Sequence, residues 1–295
     1  MNLLTCMLTA NDCYKANQWI KPKGVMVHST GANNPLLRRY VQPLEGSADY
    51  DELVARLGYN KNQNDWNRAG TNACVHAFVG KLADGSVAAV QTLPWTMRGW
   101  HAGNGTTRPS ANNTHISFEI CEDGLEDRAY FEAVYQAAAE LTALLCHTYG
   151  LDPLAPETVI CHSEGHRLGM ASGHADVEHW FPRFGKSMDD FRAAVAGLMK
   201  QEEQAEQEKE EEEEEDTMTQ EQFDAMLEDY LARRALREPA DWSARARQWA
   251  QEDGLVQGVG DLDGDGQTDY AYQSFCTREE LVTVLERLVR GPEKK

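Results

Sequence analysis

Hydrophobic positions in the first 200 residues follow two different periods. Short runs in which apolar residues are continuous or alternate with polar ones are typical of β-strands. Between them lie segments in which apolar residues recur every three to four positions, as in amphipathic helices. The strand-like runs are GVMVH, ACVHAFVG, SVAAVQTL, HISFEIC and TVICH. Strands that alternate with helices predict an α/β domain with one central mixed sheet flanked by helices.

Two helices of this region can be placed from the same pattern. The first is predicted to end at Gly150, because glycine readily takes the left-handed conformation that ends a helix. The second is predicted to begin at Ser187, which is followed three residues later by the acidic side chain of Asp190. The apolar faces of the two helices consist of Phe131, Val134, Tyr135, Ala138, Leu141, Leu144 and Leu145, and of Phe191, Ala194, Val195 and Leu198.

Composition changes abruptly after residue 201. Residues 202–216 read EEQAEQEKEEEEEED, with eleven acidic side chains against one lysine, so this segment carries −10 of the net charge of −20. Like charges repel and none of these residues can form a core, which predicts a solvated helix or an extended spacer. The chain is therefore predicted to consist of a domain at 1–200, an acidic linker at 201–218 and a small domain at 219–295.

The small domain is predicted to be mainly helical. Thr219–Gln222 and Thr277–Glu280 are capping boxes that open amphipathic helices, and a short helix around Trp249 is predicted to end at Gly254. Three helices in about 75 residues are near the lower limit for independent folding. We therefore expect this domain to have modest stability.

Charge and the opening residues narrow the class of protein. A net charge of −20 disfavours nucleic acid as a partner, because a phosphate binder normally carries a basic stripe. The opening run LLTCMLTA is too short to span a bilayer and has no positive segment before it, so it does not fit a signal peptide. We therefore expect that the protein does not insert into a membrane. We also expect that it is made in the bacterial cytoplasm without a signal peptide.

Three polar side chains stand at strand-like positions where they could carry chemistry. His28 and His162 each end a strand-like run, and Glu119 lies between Phe118 and Ile120 in a strictly alternating strand. A carboxylate in such a strand is costly to bury unless it is paired or used, and burial would raise its pKa toward that of a general base. For His28 taken alone a structural role is the commoner use, and a solvent-facing glutamate is the alternative for Glu119.

The segment VICHSEGHRLGMASGHADVEHWFP, residues 159–182, contains four histidines. His162 and His166 could share one face of a helix, but Gly165 and Gly169 argue against a helix there. Catalytic zinc usually has three protein ligands and one open position. Two strand-end histidines, His28 and His162, together with one loop carboxylate would meet that count.

These motifs together resemble a known family. VMVHST around His28, GWHAG around His101, ISFEI around Glu119 and HSEGHRLGMASGHAD are similar to the zinc-dependent N-acetylmuramoyl-L-alanine amidases of the type 2 family, which includes phage endolysins and peptidoglycan recognition proteins. The resemblance covers roughly residues 1–200. It implies hydrolysis of the amide bond between N-acetylmuramic acid and L-alanine in bacterial peptidoglycan.

The resemblance also implies roles for individual residues. The zinc ligands would be His28, His162 and Asp176, and Glu119 would activate the attacking water. His174 occupies the position at which the family often has a lysine that stabilises the oxyanion. This departure replaces a permanent cation by a side chain that is charged only in part of the pH range.

Other residues are candidates for substrate contact. His101 and Trp100 are predicted to line the substrate groove, while His76 is predicted either to line the same cleft or to be structural. The leading interpretation is a peptidoglycan hydrolase that acts on the cell wall after release, as phage endolysins do. An exported bacterial autolysin, a non-catalytic peptidoglycan-binding protein and a scaffold protein are the alternatives.

The small domain contains a calcium-like loop. Asp261, Asp263, Asp265 and Asp269 have the spacing of a calcium-binding loop, but Tyr272 stands where an EF-hand has its bidentate glutamate. Calcium binding there is therefore expected to be weak or absent. The stretch from Trp249 to the second capping box is similar to S-layer-homology modules, which implies cell-wall binding; a role in dimerisation or stability is the alternative.

Overall fold

The computed structural model describes residues 1–216 and 218–291 and divides into two compact units, Met1–Gln207 and Glu208–Lys295. The division falls inside the acidic segment. Among the described residues, no helix combines the length and the apolar character that crossing a membrane would require.

The first unit is built on one six-stranded mixed sheet, as the alternating pattern predicts. Its strands lie in the order β1-β4-β3-β5-β2-β6, and all neighbours are parallel except the hairpin pair β3 and β4. The strands are β1 (Leu3–Thr5), β2 (Gly24–Ser29), β3 (Ala77–Lys81), β4 (Val87–Gln91), β5 (His115–Ile120) and β6 (Val159–Cys161).

In the described part of the chain, eight α-helices accompany the strands, and five of them begin in the first unit. Those five are α1 (Asp12–Ala16), α2 (Tyr50–Leu57), α3 (Arg128–Tyr149), α4 (His162–Arg167) and α5 (Met188–Asp216). The other three are α6 (Gln220–Ala235), α7 (Ala244–Glu252) and α8 (Arg278–Arg290). The predicted stop of the long helix is confirmed, since Gly150 caps α3 with a φ of 61°.

The main core lies between one face of the sheet and α3. Val25 and Val27 of β2 and Ile116 and Phe118 of β5 are fully buried on this face. Phe131 of α3 packs against an aromatic group that consists of Trp180, Phe181 and Phe184. Because side chains alternate along a strand, the positions between these apolar residues point to the opposite face.

The expectation that the histidine-rich segment is not helical is wrong. Residues His162–Arg167 form α4, and Gly165 lies within it. A Cβ at Gly165 would lie 2.6 Å from Met26 Cε. The glycine is therefore required by the close approach of α4 to β2, and the packing gained there offsets its low helix propensity.

The second unit has its predicted helices and very little core. Both capping boxes are formed, at Thr219 before α6 and at Thr277 before α8. Among residues 218–291, which the structure describes, only Leu255 is buried.

Candidate active site

His28 and Glu119 are brought side by side by the register of two parallel strands. His28 of β2 pairs with Glu119 of β5, one residue before the end of each strand. Both side chains therefore leave the sheet on the same face, opposite to the face that packs on α3. Functional side chains at the carboxyl ends of parallel strands are typical of α/β proteins.

Three potential metal ligands converge next to this pair. His162 directly follows β6, which is the other neighbour of β2, and Asp176 lies in the segment after α4. Nδ1 of His28 lies 3.0 Å from Nδ1 of His162 and 3.2 Å from Oδ2 of Asp176. Nδ1 of His162 lies 3.6 Å from the same carboxylate oxygen. The triad predicted from the resemblance is thus assembled from residues 28, 162 and 176.

Burial sets the protonation of this cluster. Burial and the neighbouring His28 lower the pKa of His162 to about 4, and burial together with His28 and His76 lowers that of His101 well below its ordinary value. Burial alone would raise the pKa of Asp176, but the hydrogen bond and charge of His28 and the nearby His162 lower it instead. A lowered histidine pKa and a lowered aspartate pKa favour, at His162 and Asp176, the neutral imidazole and the ionised carboxylate that bind metals.

The two histidines of the triad are each held by a further contact. Nε2 of His28 lies 3.0 Å from Nδ1 of His101, and Nε2 of His162 lies 3.4 Å from the Ser172 hydroxyl. His101 is itself fixed by Asn112, whose Oδ1 accepts hydrogen bonds of 2.8 Å from the backbone N–H groups of His101 and Ala102. Such contacts set the orientation of a ligand ring.

Glu119 differs from the triad because its carboxyl group is not fully satisfied. Its Oε2 atom is buried and has no hydrogen-bond partner among the described residues. Burial, together with the nearby charges of Asp176 and Glu122, raises its pKa well above the ordinary value. A carboxyl group of this kind has a high affinity for a proton, which is the property that a general base needs.

The cluster lies in an open cleft of about 600 Å³. Trp100 and His101 line it, and so does His174, whose ring stacks on that of His162 at a centroid distance of 4.5 Å. The lining also includes polar residues that the sequence did not single out, namely Asn72, Arg98, Asn104, Asn112 and Ser172. They lie outside the strands and α-helices, and Asn112 lies in a short 3-10 helix, so no hydrophobic period in the sequence marks them.

The sequence itself supplies the family. Residues 18–179, more than half of the chain, match the N-acetylmuramoyl-L-alanine amidase family (Amidase_2). The chain belongs to this amidase family. It is a peptidoglycan amidase, and the matched range contains every residue of the converging cluster.

Several hydrolases are among the solved structures that are similar to this chain. Staphylococcus aureus hydrolase AmiA is 18% identical, with a TM-score of 0.46 over 66% of this chain and 82% of that one. A mutant endolysin from Bacillus subtilis is 20% identical, with a TM-score of 0.42 over 66% and 99% of the two chains. Escherichia coli AmiD is 18% identical, with a TM-score of 0.31 over 49% of each chain. None of the curated proteins matches the sequence.

His76 does not reach the cleft of the amidase. It is fully buried, with Nε2 2.7 Å from the Met97 carbonyl oxygen, and its Nδ1 accepts a 3.0 Å hydrogen bond from the Ser117 N–H. Both ring nitrogens are therefore used inside the protein, and burial lowers the pKa of the ring to about 4. We place His76 among structural residues, which is the alternative that the sequence left open, and give it no role in substrate binding.

A buried carboxylate outside the cleft connects the segments that carry the site. Oε1 of Glu122 accepts a 3.1 Å hydrogen bond from the Gly31 N–H and lies 2.9 Å from Nε2 of His179. Gly31 is three residues after His28, and His179 is three residues after Asp176. Glu122 therefore connects the segment that follows His28 to the segment that follows Asp176.

The aspartate loop of the second unit is a separate cluster. Carboxylate oxygens of Asp261, Asp263 and Asp265 lie within 4.8 Å of one another, and all three residues are exposed. Both oxygens of Asp261 accept hydrogen bonds from loop N–H groups, at Gly264 and Gly266, while Asp269 accepts one from Leu262. Calcium binding there stays a prediction.

Proposed function

We propose that the protein is a zinc-dependent N-acetylmuramoyl-L-alanine amidase in which His28, His162 and Asp176 hold the metal. The observation that carries this proposal is the convergence of two imidazole nitrogens and one carboxylate oxygen at separations of 3.0, 3.2 and 3.6 Å. The scissile bond is the amide between the lactyl group of N-acetylmuramic acid and L-alanine.

The residues present fit zinc in number, type and spacing. Ligand atoms around a tetrahedral zinc with bonds of about 2.0–2.2 Å lie roughly 3.3–3.6 Å from one another, close to the separations in this cluster. Two imidazoles and one carboxylate are also a common donor set for catalytic zinc, and they leave one position open. Zinc bound in such a site polarises a carbonyl group and lowers the pKa of water to about 7.

Glu119 is the general base in this proposal. Glu119 lines the same cleft as the triad, its Oε2 atom has no hydrogen-bond partner among the described residues, and its raised pKa favours proton uptake. Glu119 takes a proton from the water that attacks the lactyl carbonyl carbon. When the C–N bond breaks, it returns that proton to the nitrogen of L-alanine, so the carboxylate is regenerated in each turnover.

The cleft residues have supporting roles. The exposed edge of His174, stacked on His162, is positioned to donate a hydrogen bond to the oxygen that becomes negative when the carbonyl is attacked. His101 maintains the orientation of His28 through the 3.0 Å contact between their rings. Trp100 offers an amphipathic surface on which a sugar or the stem peptide can pack.

The decisive experiment compares wild type with Glu119→Gln. We expect about one zinc per chain in both proteins by elemental analysis, and release of L-alanine amino termini from purified peptidoglycan that is about 10²–10⁴-fold slower in the variant. Asp65→Asn is the matched control, because it changes a buried carboxyl group to its neutral amide at a position that does not line the cleft. It should keep its rate within a few-fold of wild type.

The metal is tested on the wild-type protein. Removing zinc with a chelator should abolish amine release, and adding zinc back should restore it, while His28→Ala should lose both metal and activity. A wild-type protein that binds peptidoglycan with neither zinc nor amine release would belong instead to the non-catalytic recognition class. Amine release that survives complete removal of the metal would reject zinc dependence.

Two further parts of the proposal concern where the enzyme acts and what residues 219–295 bind. We propose that the enzyme acts as an endolysin, reaching peptidoglycan from the cytoplasm after a membrane lesion forms, and that residues 219–295 bind the cell wall. Tethering a wall-binding module to an amidase raises the local concentration of substrate without adding contacts at the active site. A fluorescent fusion of residues 219–295 that fails to bind purified cell walls would remove the second part.

A further inference from the structure

Two helices of the second unit carry apolar stripes that face solvent. The α6 stripe consists of Phe223, Met226, Leu227 and Tyr230, which are between 40% and 59% exposed. The α8 stripe consists of Leu281, Val282, Leu285, Leu288 and Val289, which are between 49% and 82% exposed. In both stripes apolar residues recur three or four positions apart, as on a helix face that packs on another element.

Nothing among the described residues of this unit covers the stripes. All nine side chains of the two stripes remain at least 40% exposed. The opposite side of α8, with Val284 and Arg287, faces the loop of residues 256–276. The α8 stripe is therefore additional to the surface with which this helix packs in its own unit.

The two stripes are held near each other at one end. Nε of Arg234, in the last turn of α6, donates a 2.6 Å hydrogen bond to the Gln273 carbonyl oxygen. Its guanidinium group also lies 4.2 Å from the centre of the Phe275 ring, two residues before the capping box of α8. Phe275 is itself 62% exposed.

We propose that a second copy of this chain covers the α6 and α8 stripes. Two chains bring together four amphipathic helices, the number that closes a helical bundle around one core. Covering both stripes would bury roughly 800 Å² on each chain, if a large apolar side chain offers about 150–200 Å², and a standard stable interface takes about that area from each partner.

A second copy is a better partner for the two stripes than the first unit or a cell-wall polymer. The large hydrophobic side chains that are exposed in the first unit belong to separate segments: Met1, Trp19, Leu44, Tyr59, Leu144 and Leu154. A wall polymer is polar and meets the protein only after the chain has folded. Another copy is present from synthesis onward and carries a matching pair of stripes, so self-association covers them whenever the unit is folded.

The test measures the mass of the full-length chain in solution. We expect light scattering after gel filtration to give about twice the 33.1 kDa of one chain, with dissociation upon dilution. Leu285→Asp should raise the dissociation constant ~100-fold or more, because it buries a carboxylate in the apolar contact. Val259→Asp is the matched control: Val259 is 53% exposed on a loop outside both stripes, and this variant should remain dimeric.

Two further measurements make the outcome decisive. Differently tagged wild-type chains, purified separately and mixed, should be recovered together, which tests association without any substitution. Leu285→Asp should cleave a soluble muropeptide at the wild-type rate, because the active site lies in the first unit; a wild type that lacks amidase activity would reject the proposed function but not the dimer. A wild-type chain that is monomeric at every concentration, or a Leu285→Asp variant that remains dimeric, would overturn the inference.

Discussion

The two units respond differently to the same sequence signal. Helix α3 and helix α8 are both amphipathic and both have a regular N-terminal cap, yet α3 buries eleven of its side chains and α8 buries none. The difference lies in what each helix meets. α3 lies on a sheet within its own unit, whereas the apolar stripe of α8 has no covering element in the described part of its unit. Periodicity shows which face of a helix is apolar, and it does not show which surface covers that face.

Because the first unit has a buried core and the second unit has almost none, substitutions should have different effects in the two units. In the first unit polar groups such as His28, His76 and Glu122 are buried beside the apolar core. A change there alters packing and electrostatics together, because interiors are close-packed and have a low dielectric constant. In the second unit most side chains are exposed, so single changes should affect association more than chemistry.

The largest expected effect is on the core of the first unit. Phe131→Ala removes a ring that stacks on Phe184 at 4.3 Å between centroids and also contacts Trp180 and Phe181. We expect the free energy of unfolding to fall by about 3–5 kcal/mol, which is typical of a buried phenylalanine replaced by alanine. Urea denaturation followed by tryptophan fluorescence measures it.

Leu144→Ala is the control on the same helix. Leu144 is 37% exposed, and its truncation should cost about 1 kcal/mol or less. Equal losses for the two variants would show that the buried aromatic group does not dominate the stability of this unit, and the contrast between the units would lose its main support.

The sequence pattern predicts five of the six strands and the longer helices but misses β1, and the family resemblance adds the triad. Strand and helix periods depend on local alternation, and His28, Glu119 and His162 stand next to strongly apolar strand residues that fix their direction. The partners of these residues depend on long-range register and loop paths. Glu122 contacts His179, which is 57 positions away in the sequence. Asn112 accepts a hydrogen bond from the His101 N–H group. Neither contact produces a periodic pattern in the sequence.

Two further cases show that local sequence does not reveal long-range contacts. One expectation was wrong, and the other question could not be decided from the sequence. The glycines of the 159–182 segment were expected to prevent a helix, but Gly165 is needed for contact with Met26 across the sheet. The position of His76 could not be decided from its strand, because both the buried and the cleft-lining alternatives fit a histidine in an apolar run. Its two hydrogen bonds to the backbone at Met97 and Ser117 come from distant segments.

A smaller effect should appear in the pH dependence of stability. The pKa of His76 is about 4 in the folded protein and about 6.5 in the unfolded chain. Below pH 6.5 the unfolded chain takes up a proton that the folded protein excludes, so stability is lost as the pH falls from about 6.5 to 4. From pH 7.5 to 4.5, His76 alone should account for about 2–3 kcal/mol of that loss.

His76→Gln isolates this contribution. Glutamine keeps one N–H donor for the Met97 carbonyl and one acceptor for the Ser117 N–H, but it does not titrate. The difference in unfolding free energy between pH 7.5 and pH 4.5, measured by urea denaturation of the metal-free proteins, should therefore be smaller in the variant. An unchanged difference would mean that the other buried histidines carry the whole effect.

The next smaller effect is that of the Glu122 contacts with Gly31 and His179 on the affinity for zinc. Glu122→Ala removes the acceptor shared by Gly31 and His179, which loosens the segments that follow His28 and Asp176. We expect the zinc dissociation constant to rise about 10–100-fold, the usual range for supporting contacts around a metal site. Competition with a chromogenic chelator measures it independently of activity.

Two variants calibrate this effect. Glu157→Ala breaks an ion pair with Arg108 in which both side chains are about 40% exposed, and it should leave zinc affinity within about twofold, since such pairs contribute little. His179→Gln keeps a side-chain N–H for Glu122 and should weaken zinc binding less than His179→Ala does. Equal effects of Glu122→Ala and Glu157→Ala would show that Glu122 does not position the ligands.

The smallest expected effect comes from removing the second unit altogether. The side chains of His28, His162, Asp176 and their cleft all lie in Met1–Gln207, and the buried core around α3 is complete within that range. A chain truncated after Gln207 should therefore keep its zinc affinity and cleave a soluble muropeptide at a rate within about twofold of the full chain, since distant sites contribute independently. On intact cell walls the truncated chain should be slower at low enzyme concentration, because it loses the local enrichment that a tethered binder provides. A large loss on the soluble substrate would mean that the second unit supports the active site, and the separation between a self-contained catalytic unit and an association unit would then have to be abandoned.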